Sequence, residues 1–395
     1  MDRDNAVARN PRLLFWGRLL LETKTTAALM VLFYLHRGIT LGDVFRLSVV
    51  WSLTSLIAEV PSGYLADRIG RRPTLMLGAA FMLVGLVQMM LAHGFFGFAL
   101  MIALMSISNA CLSGTEESML YDSLCDQNLE HDMVGQSGKL TSARFAAKMF
   151  LPLLGSFVAR DLLEWQFRML IGLDIAFALL AILVLSKLKE PSCRTVSVGI
   201  RMDIFRQSLR TIRNQPWLLK AMFSKTLVFS AGLLLYRVYQ PLLTGYGFPV
   251  VAIGLYYVVS RGAMFFSHRQ AGAAVRVFGP SRVIMWTAIV GASLVGLVLC
   301  LDLPWAVFVV LCLAEVAIGF REPPFSLAIH DRIASCCRAT AVSNLNCLKC
   351  VVDIPLMLLA GRLSELSVDY LLAMAILLCV FALVVFPMRR QDFDN

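Results

Sequence analysis

The chain has 395 residues, of which 58% are apolar and only 16% charged, with a formal net charge of +10. Soluble domains run at ~45–50% apolar and about 25% charged, so an ordinary water-soluble enzyme is excluded. Disordered, collagen-like and disulfide-scaffold chains lack this composition, and a mean hydropathy of +0.73 leaves a polytopic helical membrane protein.

Twelve apolar spans follow in chain order: 12–36, 41–65, 73–93, 95–120, 139–162, 167–187, 218–243, 248–271, 281–301, 304–328, 340–361 and 367–387. Each is long enough to cross about 30 Å of hydrocarbon as a helix. Long unbroken runs exclude a transmembrane barrel, which is built from short alternating segments. The longest hydrophilic stretch, 188–217, is basic and divides the spans six and six. The expected layout is an N-terminal six-helix bundle over 1–188, a cytoplasmic basic linker over 189–217 and a C-terminal six-helix bundle over 218–395. Within the linker, 201–214 reads either as an amphipathic helix on an anionic leaflet or as a solvated connection.

The basic residues occupy alternate connecting stretches. Arg68, Arg71 and Arg72 share one, Lys187 to Arg213 another, and Arg269, Arg276 and Arg282, then Arg332 and Arg338, then Arg389 and Arg390 follow. The stretches near 93, 246 and 302 carry almost none. By the positive-inside rule both termini are expected in the cytoplasm of a multi-pass inner-membrane protein. The first apolar run is interrupted by Arg18, Glu22 and Lys24, and no signal-peptide cleavage pattern follows it. The basic residues form no nucleic-acid patch. The expected partners are a small solute, protons and the lipid bilayer, with the chain as a monomer.

Ten cysteines lie mostly within apolar runs or on the basic side and read as reduced thiols. Cys336, Cys337, Cys347 and Cys350 do not match a usual zinc spacing, so neither a metal nor another cofactor is expected.

An internal repeat supports the division into halves. Gly63, Asp67 and Gly70 follow the second span, and Gly272, Arg276 and Gly279 follow the eighth at the same spacing. The same offset carries Asp122, closing span four, onto Asp331, closing span ten. Duplicated halves with matching loops are a transporter signature. Residues 59–73 read Glu-Val-Pro-Ser-Gly-Tyr-Leu-Ala-Asp-Arg-Ile-Gly-Arg-Arg-Pro. This resembles the loop signature of the major facilitator superfamily at Gly63, Leu65, Ala66, Asp67, Arg68, Gly70, Arg71 and Arg72. Tyr121 to Leu124 and Arg338 to Thr340 resemble a bacterial subgroup. The resemblance implies a conformational latch of Gly63, Asp67, Arg68, Gly70, Arg71, Arg72 and Asp122. Asp67 suits the positive end of a facing helix, and Arg71 offers a planar fork to Asp122. For Arg68 and Arg72 the simpler role of topology determinant is favoured.

Two departures bear on the mode of transport. Span four lacks the arginine that many drug antiporters of the family use, and the span-five antiporter signature survives only as Leu151 to Ser156, with Gly138 and Ala147 at two further small positions. Export is therefore favoured weakly.

Charges inside apolar spans are costly and usually face a cavity. Here they are Arg18, Glu22 and Lys24 in span one, Glu116 and Glu117 in span four, and Arg144 and Lys148 in span five. Lys225 and Arg237 lie in span seven, Arg261 in span eight, Glu315, Arg321 and Glu322 in span ten, and Lys349 and Asp353 in span eleven. In the resembled family these spans line or flank the central cavity; Asp174 in span six is the exception. Arg18–Glu22 and Lys349–Asp353, each at i,i+4, read equally well as structural ion pairs. Glu116 and Glu117 are about 100° apart on a helix, so only one of them can face the cavity. Pro323-Pro324 should bend span ten.

The expected function is proton-coupled secondary transport of a charged or zwitterionic organic solute by alternating access, directed outward. Glu22, Glu116, Glu117, Glu315 and Glu322 are the candidate proton carriers. Uptake of a charged metabolite, such as a siderophore-like carboxylate chelate or an amino-acid derivative, is the second reading. A membrane sensor that has lost transport is the third. No P-loop, nucleophile elbow or metal motif supports an enzyme.

Overall fold

The computed structural model describes residues 7–129, 132–191, 216–325 and 338–390. Among these residues there is no strand. Helices run α1 (Asn10–Glu22), α2 (Met30–His36), α3 (Leu41–Ile69), α4 (Arg71–Leu91), α5 (Gly94–Cys125), α6 (Met133–Ala147), α7 (Leu151–Val158) and α8 (Glu164–Leu185). After the linker come α9 (Pro216–Gly245), α10 (Val250–Phe278), α11 (Pro280–Val298), α12 (Pro304–Gly319), α13 (Arg338–Ser364) and α14 (Val368–Val385). Residues 192–215, which hold Arg201 to Arg213, and residues 326–337, which hold Asp331, Cys336 and Cys337, lie outside the described part.

Nine helices among the described residues are long and apolar enough to cross a membrane. Expected span 12–36 is instead broken into α1, a 3-10 turn over Ala27–Leu29, and α2. Its polar run Thr23 to Thr26 turns away from the helical ladder. Asp174 of α8 takes up the freed groups: Thr25 N donates to Oδ1 at 2.7 Å, Thr25 Oγ1 to Oδ1 at 2.8 Å and Thr26 Oγ1 to Oδ2 at 3.0 Å. A non-helical segment at membrane depth needs such internal partners. Expected span 139–162 likewise breaks, into α6 and α7, with Pro152 in the first turn of α7. Expected span 340–361 falls on the single helix α13. In span ten α12 ends at Gly319, four residues before Pro323, where the proline ring would meet the carbonyl of residue i−4.

The chain forms two compact units, one of Met1–Ile39 with Val50–Arg201 and one of Thr40–Val49 with Met202–Asn395. In unit 1 the core contains Leu14, Leu75, Ala79, Leu112, Met119 and Leu185, contributed by α1, α4, α5 and α8. Gly155 of α7 is required there, because a Cβ would overlap the Thr25 carbonyl. At one end of this unit Arg37 donates to the carbonyls of Ala92 at 2.6 Å and Met90 at 3.2 Å and pairs with Glu164, tying three connections together. In unit 2 the fully buried Tyr239 and Tyr256 stack at 4.8 Å, and Phe308 meets Tyr256 edge-on.

Candidate functional site

The loop signature closes one end of unit 1. Gly70 has φ +114, a conformation only glycine adopts without strain, and it redirects the chain from α3 into α4. The first N–H groups of α4 face the Glu190 carboxylate: Arg71 N donates to Oε1 at 2.7 Å and Arg72 N to Oε2 at 3.0 Å. Glu190, unremarked in the sequence, thus caps this helix and meets its positive end. The signal was available, since a helix that starts at Gly70 with two arginines has no acid of its own in its first turn. Arg71 Nε lies 2.5 Å from Asp122 Oδ2, and both side chains are buried. Arg72 Nη2 donates to Ser186 O at 2.7 Å. Asp67 is half-buried, and Gly63 and Arg68 are exposed. A second link, with no motif in the sequence to mark it, closes the same end: Asn10 Nδ2 donates to Ser123 Oγ at 2.9 Å and to Lys189 O at 2.8 Å.

Deeper in unit 1 the structure brings four of the intramembrane charges into one chain. Arg18 contacts Glu116 at 3.1 Å and Glu22 at 2.6 Å, and Lys148 contacts Glu22 at 3.0 Å. Three helices, α1, α5 and the end of α6, are joined by alternating signs. Glu116 is buried in this chain while Glu117 is exposed, as the angle between neighbouring residues requires. The side chain of Arg144 lies outside the described part.

Among the described residues of unit 2, the charges predicted inside the membrane spans fall into three groups. In the first, Arg261 Nη2 of α10 meets Glu315 Oε2 of α12 at 3.0 Å. Arg261 also lies over the rings of Tyr236 at 5.0 Å and Tyr257 at 5.5 Å, and Arg237 lies over Tyr236 at 5.8 Å. Two guanidinium groups therefore share one tyrosine. Among the described residues, the buried Arg237 Nε, Arg261 Nε and Tyr256 hydroxyl have no hydrogen-bond partner. In the second group Lys225 pairs with Glu322 at 2.7 Å, and the buried Arg321 donates to Ser224 Oγ at 3.1 Å and lies 4.9 Å over Phe325. In the third, Asp353 of α13 accepts from Ser230 Oγ at 2.6 Å and lies 3.9 Å from Lys349, whose ammonium sits over Phe229. No group of three or more potential metal ligands occurs among the described residues.

Long apolar helices that carry buried, paired charges define a multi-pass membrane protein. The Major Facilitator Superfamily matches residues 19–352, and the chain belongs to that family. Its fold is similar to that of a mutant form of the nucleoside transporter NupG, at 12% identity, with a TM-score of 0.78 over 96% of this chain and 98% of that one. It is also similar to a D-xylose-proton symporter, at 13% identity and TM-score 0.71, over 97% of each chain. A POT family transporter in complex with 5-aminolevulinic acid matches at 11% identity and TM-score 0.73, over 98% of this chain and 96% of that one. No curated protein matches the sequence.

Proposed function

We propose that the chain is a proton-coupled secondary transporter of the inner membrane that exports a small charged or zwitterionic organic solute by alternating access. In this reading the two halves, 1–188 and 218–395, rock about a site at mid-membrane, joined by the cytoplasmic linker 189–217. The observation that carries it is the charge pattern on the membrane helices. Arg18, Glu22, Glu116 and Lys148 form one network, and Arg237, Arg261 and Glu315 form another. A transporter of purely lipophilic cargo has no use for so many costly charges.

The arrangement also suggests how a solute is held. Arg237 and Arg261 both lie over Tyr236, and Glu315 is the carboxylate paired with Arg261, so Arg237 is the guanidinium assigned to an acidic group on the solute. Glu315 and Glu116 are the most enclosed of the five candidate proton carriers, and Glu117 and Glu322 the most exposed. A coupling group must be neutral on one face of the cycle and charged on the other, which a carboxylate in a dry cavity can achieve. Likeness to a D-xylose-proton symporter supports coupling to protons.

Outward transport rests on the remnant antiporter signature Leu151 to Ser156. Uptake of an amino-acid derivative is the second reading, favoured by likeness to the POT family transporter bound to 5-aminolevulinic acid. The deciding measurement is intracellular accumulation of candidate solutes in cells with and without the protein, each with and without an uncoupler. Export predicts lower accumulation with the protein and loss of that difference on uncoupling. Equal accumulation of every solute in all four conditions would return the chain to the sensor reading.

A further inference from the structure

The signature string opens with an acid, Glu59, that belongs to the membrane span α3 rather than to the loop. Glu59 lies about 15 Å along the helix axis from Ile69 and about 12 Å from Asp67, at 1.5 Å per residue. It stands on the enclosed side of the helix. Ser52, Ser62 and Ala66 share its face at helical spacing, and none is more than 8% exposed. Leu53, Ile57 and Tyr64, at 44%, 71% and 45% exposed, mark the opposite side. Glu59 itself is half-buried, and among the described residues its carboxylate makes no hydrogen bond or ion pair.

The other membrane carboxylates are occupied. Glu22 and Glu116 hold Arg18, Glu315 holds Arg261, and Glu322 holds Lys225. Asp174 is taken by Thr25 and Thr26, and Asp353 by Ser230. Glu117 shares the lack of a partner among the described residues, but it is exposed. An isolated carboxylate on the enclosed face of a membrane helix is costly as an anion and tolerated as a neutral acid. A paired carboxylate must release its cation to accept a proton, and Glu59 has none to release.

The surroundings leave a proton room to reach it. α5 packs beside α3, where Ser106 Oγ donates to Trp51 O at 3.1 Å. As alternate spans the two helices run the same way, which sets Gly114 of α5 level with Glu59. A Cβ at Gly114, or at Gly63 one turn beyond Glu59, would meet no atom within 4 Å, so space is open on both helices. The charged groups of α5 toward this level are Glu116, Glu117 and, further on, Asp122, which pairs with Arg71. Those of α3 are Asp67 and Arg68, and Glu59 pairs with none of these. Pro61, inside the same helix, has no amide to bond the Ile57 carbonyl, so α3 is weakened across the turn that holds Glu59.

Resting on the proton-coupled reading above, we propose that Glu59 takes up and releases a coupled proton, in addition to the carboxylates already named. The carboxylate oxygen gains the proton from water and returns it to water, and no other bond changes. Each uptake removes an unpaired charge from the weak turn of the helix that leads into Asp67.

The test is infrared difference spectroscopy of the purified full-length protein in lipid vesicles, stepped from about pH 9 to about pH 5, the range open to an enclosed carboxyl group. Wild type should gain the C=O stretch of a neutral carboxylic acid as the pH falls. Glu59→Gln should lose that component, and Glu117→Gln should keep it. Glu59→Asp, whose carboxyl group is one methylene shorter, should keep the component at a shifted midpoint, and it carries the test where Glu59→Gln does not fold. The full wild-type component in Glu59→Gln, or an unmoved midpoint in Glu59→Asp, would overturn the assignment and leave proton coupling to the other carboxylates. A wild-type protein with no titrating carboxyl component at all would overturn the assignment and the proton-coupled reading together.

Discussion

Replacing Arg261 with glutamine tests whether charge holds α10 to α12. The pair is 3.0 Å apart, with Glu315 only 3% exposed and Arg261 23% exposed. Arg261→Gln strands a carboxylate that water can scarcely reach. Removing one member of a buried pair costs about 3–5 kcal/mol, because the other charge is left uncompensated. The reverse change is milder. In Glu315→Gln the guanidinium keeps the ring faces of Tyr236 and Tyr257 and some access to solvent, so a cost of about 1–2 kcal/mol is expected. The double variant has neither charge and should be no less stable than Arg261→Gln alone, and closer to Glu315→Gln. The resulting interaction energy is about 3 kcal/mol, at the upper end of measured pair couplings. Denaturant titration of the four proteins in detergent micelles gives the cycle. If the cost of the double variant is the sum of the two single costs, so that the coupling falls below about 0.5 kcal/mol, the electrostatic account of this pair is wrong.

Glu315→Gln also mimics the protonated acid, so it should keep solute exchange across vesicles while losing gradient-driven transport; normal pH dependence in this variant and in the Gln variants of Glu22, Glu116, Glu117 and Glu322 would remove proton coupling through these groups. Asp67→Asn should express normally and transport far more slowly than wild type, and a wild-type rate would dismiss the latch. Glu190→Gln should lower stability by about 1 kcal/mol by weakening the cap on α4, whereas Asp67→Asn should leave stability unchanged, which thermal melts would separate. A reporter fused after Arg390 should be active only as a cytoplasmic reporter, and activity of a periplasmic reporter there would break the twelve-span topology.

The helical membrane class was legible because composition alone forces it, and the family because Gly63 to Arg72 is a long and specific string. Pairings at i,i+4 such as Arg18–Glu22 were legible from helix geometry. Arg18–Glu116 and Arg261–Glu315 were not, since nothing in one sequence says which helices face each other. The breaks in spans one and five were missed for a related reason. Hydropathy averages over a window, so a run such as Thr23-Lys24-Thr25-Thr26 reads as a weak stretch of helix. Its unwinding depends on Asp174, about 150 residues away in the chain, which supplies the hydrogen bonds that the ladder gives up. That also accounts for the charge that stood outside the cavity-lining spans: Asp174 ties down a broken helix. Glu190 was overlooked because it sits at the edge of a hydrophilic linker, where a lone acid among lysines reads as solvated.

The two units differ in how their charges balance. In unit 1 the described intramembrane cations Arg18 and Lys148 pair directly with Glu22 and Glu116. In unit 2, among the described residues, the intramembrane cations Lys225, Arg237, Arg261, Arg321 and Lys349 outnumber the carboxylates Glu315, Glu322 and Asp353. The cations left over are arginines placed on rings, Arg237 on Tyr236 and Arg321 on Phe325. A ring face steadies a guanidinium without using its N–H donors, and a guanidinium is the cation least penalised by poor hydration. Buried donors without acceptors remain costly all the same, at about 1–3 kcal/mol each. A fold retains that cost most readily where a ligand relieves it for part of the cycle. Arg321 is sealed beside Ser224, at 4% exposure, and is poorly placed to meet a solute. Arg237 is only half-buried and shares its tyrosine with Arg261. Of the two, Arg237 is therefore the residue where an acidic group should be felt. Arg237→Lys keeps the charge but loses the planar fork, so it should raise the half-saturating concentration of an acidic solute more than it changes the maximal rate. An equal loss for acidic and neutral solutes would place Arg237 among the structural charges instead.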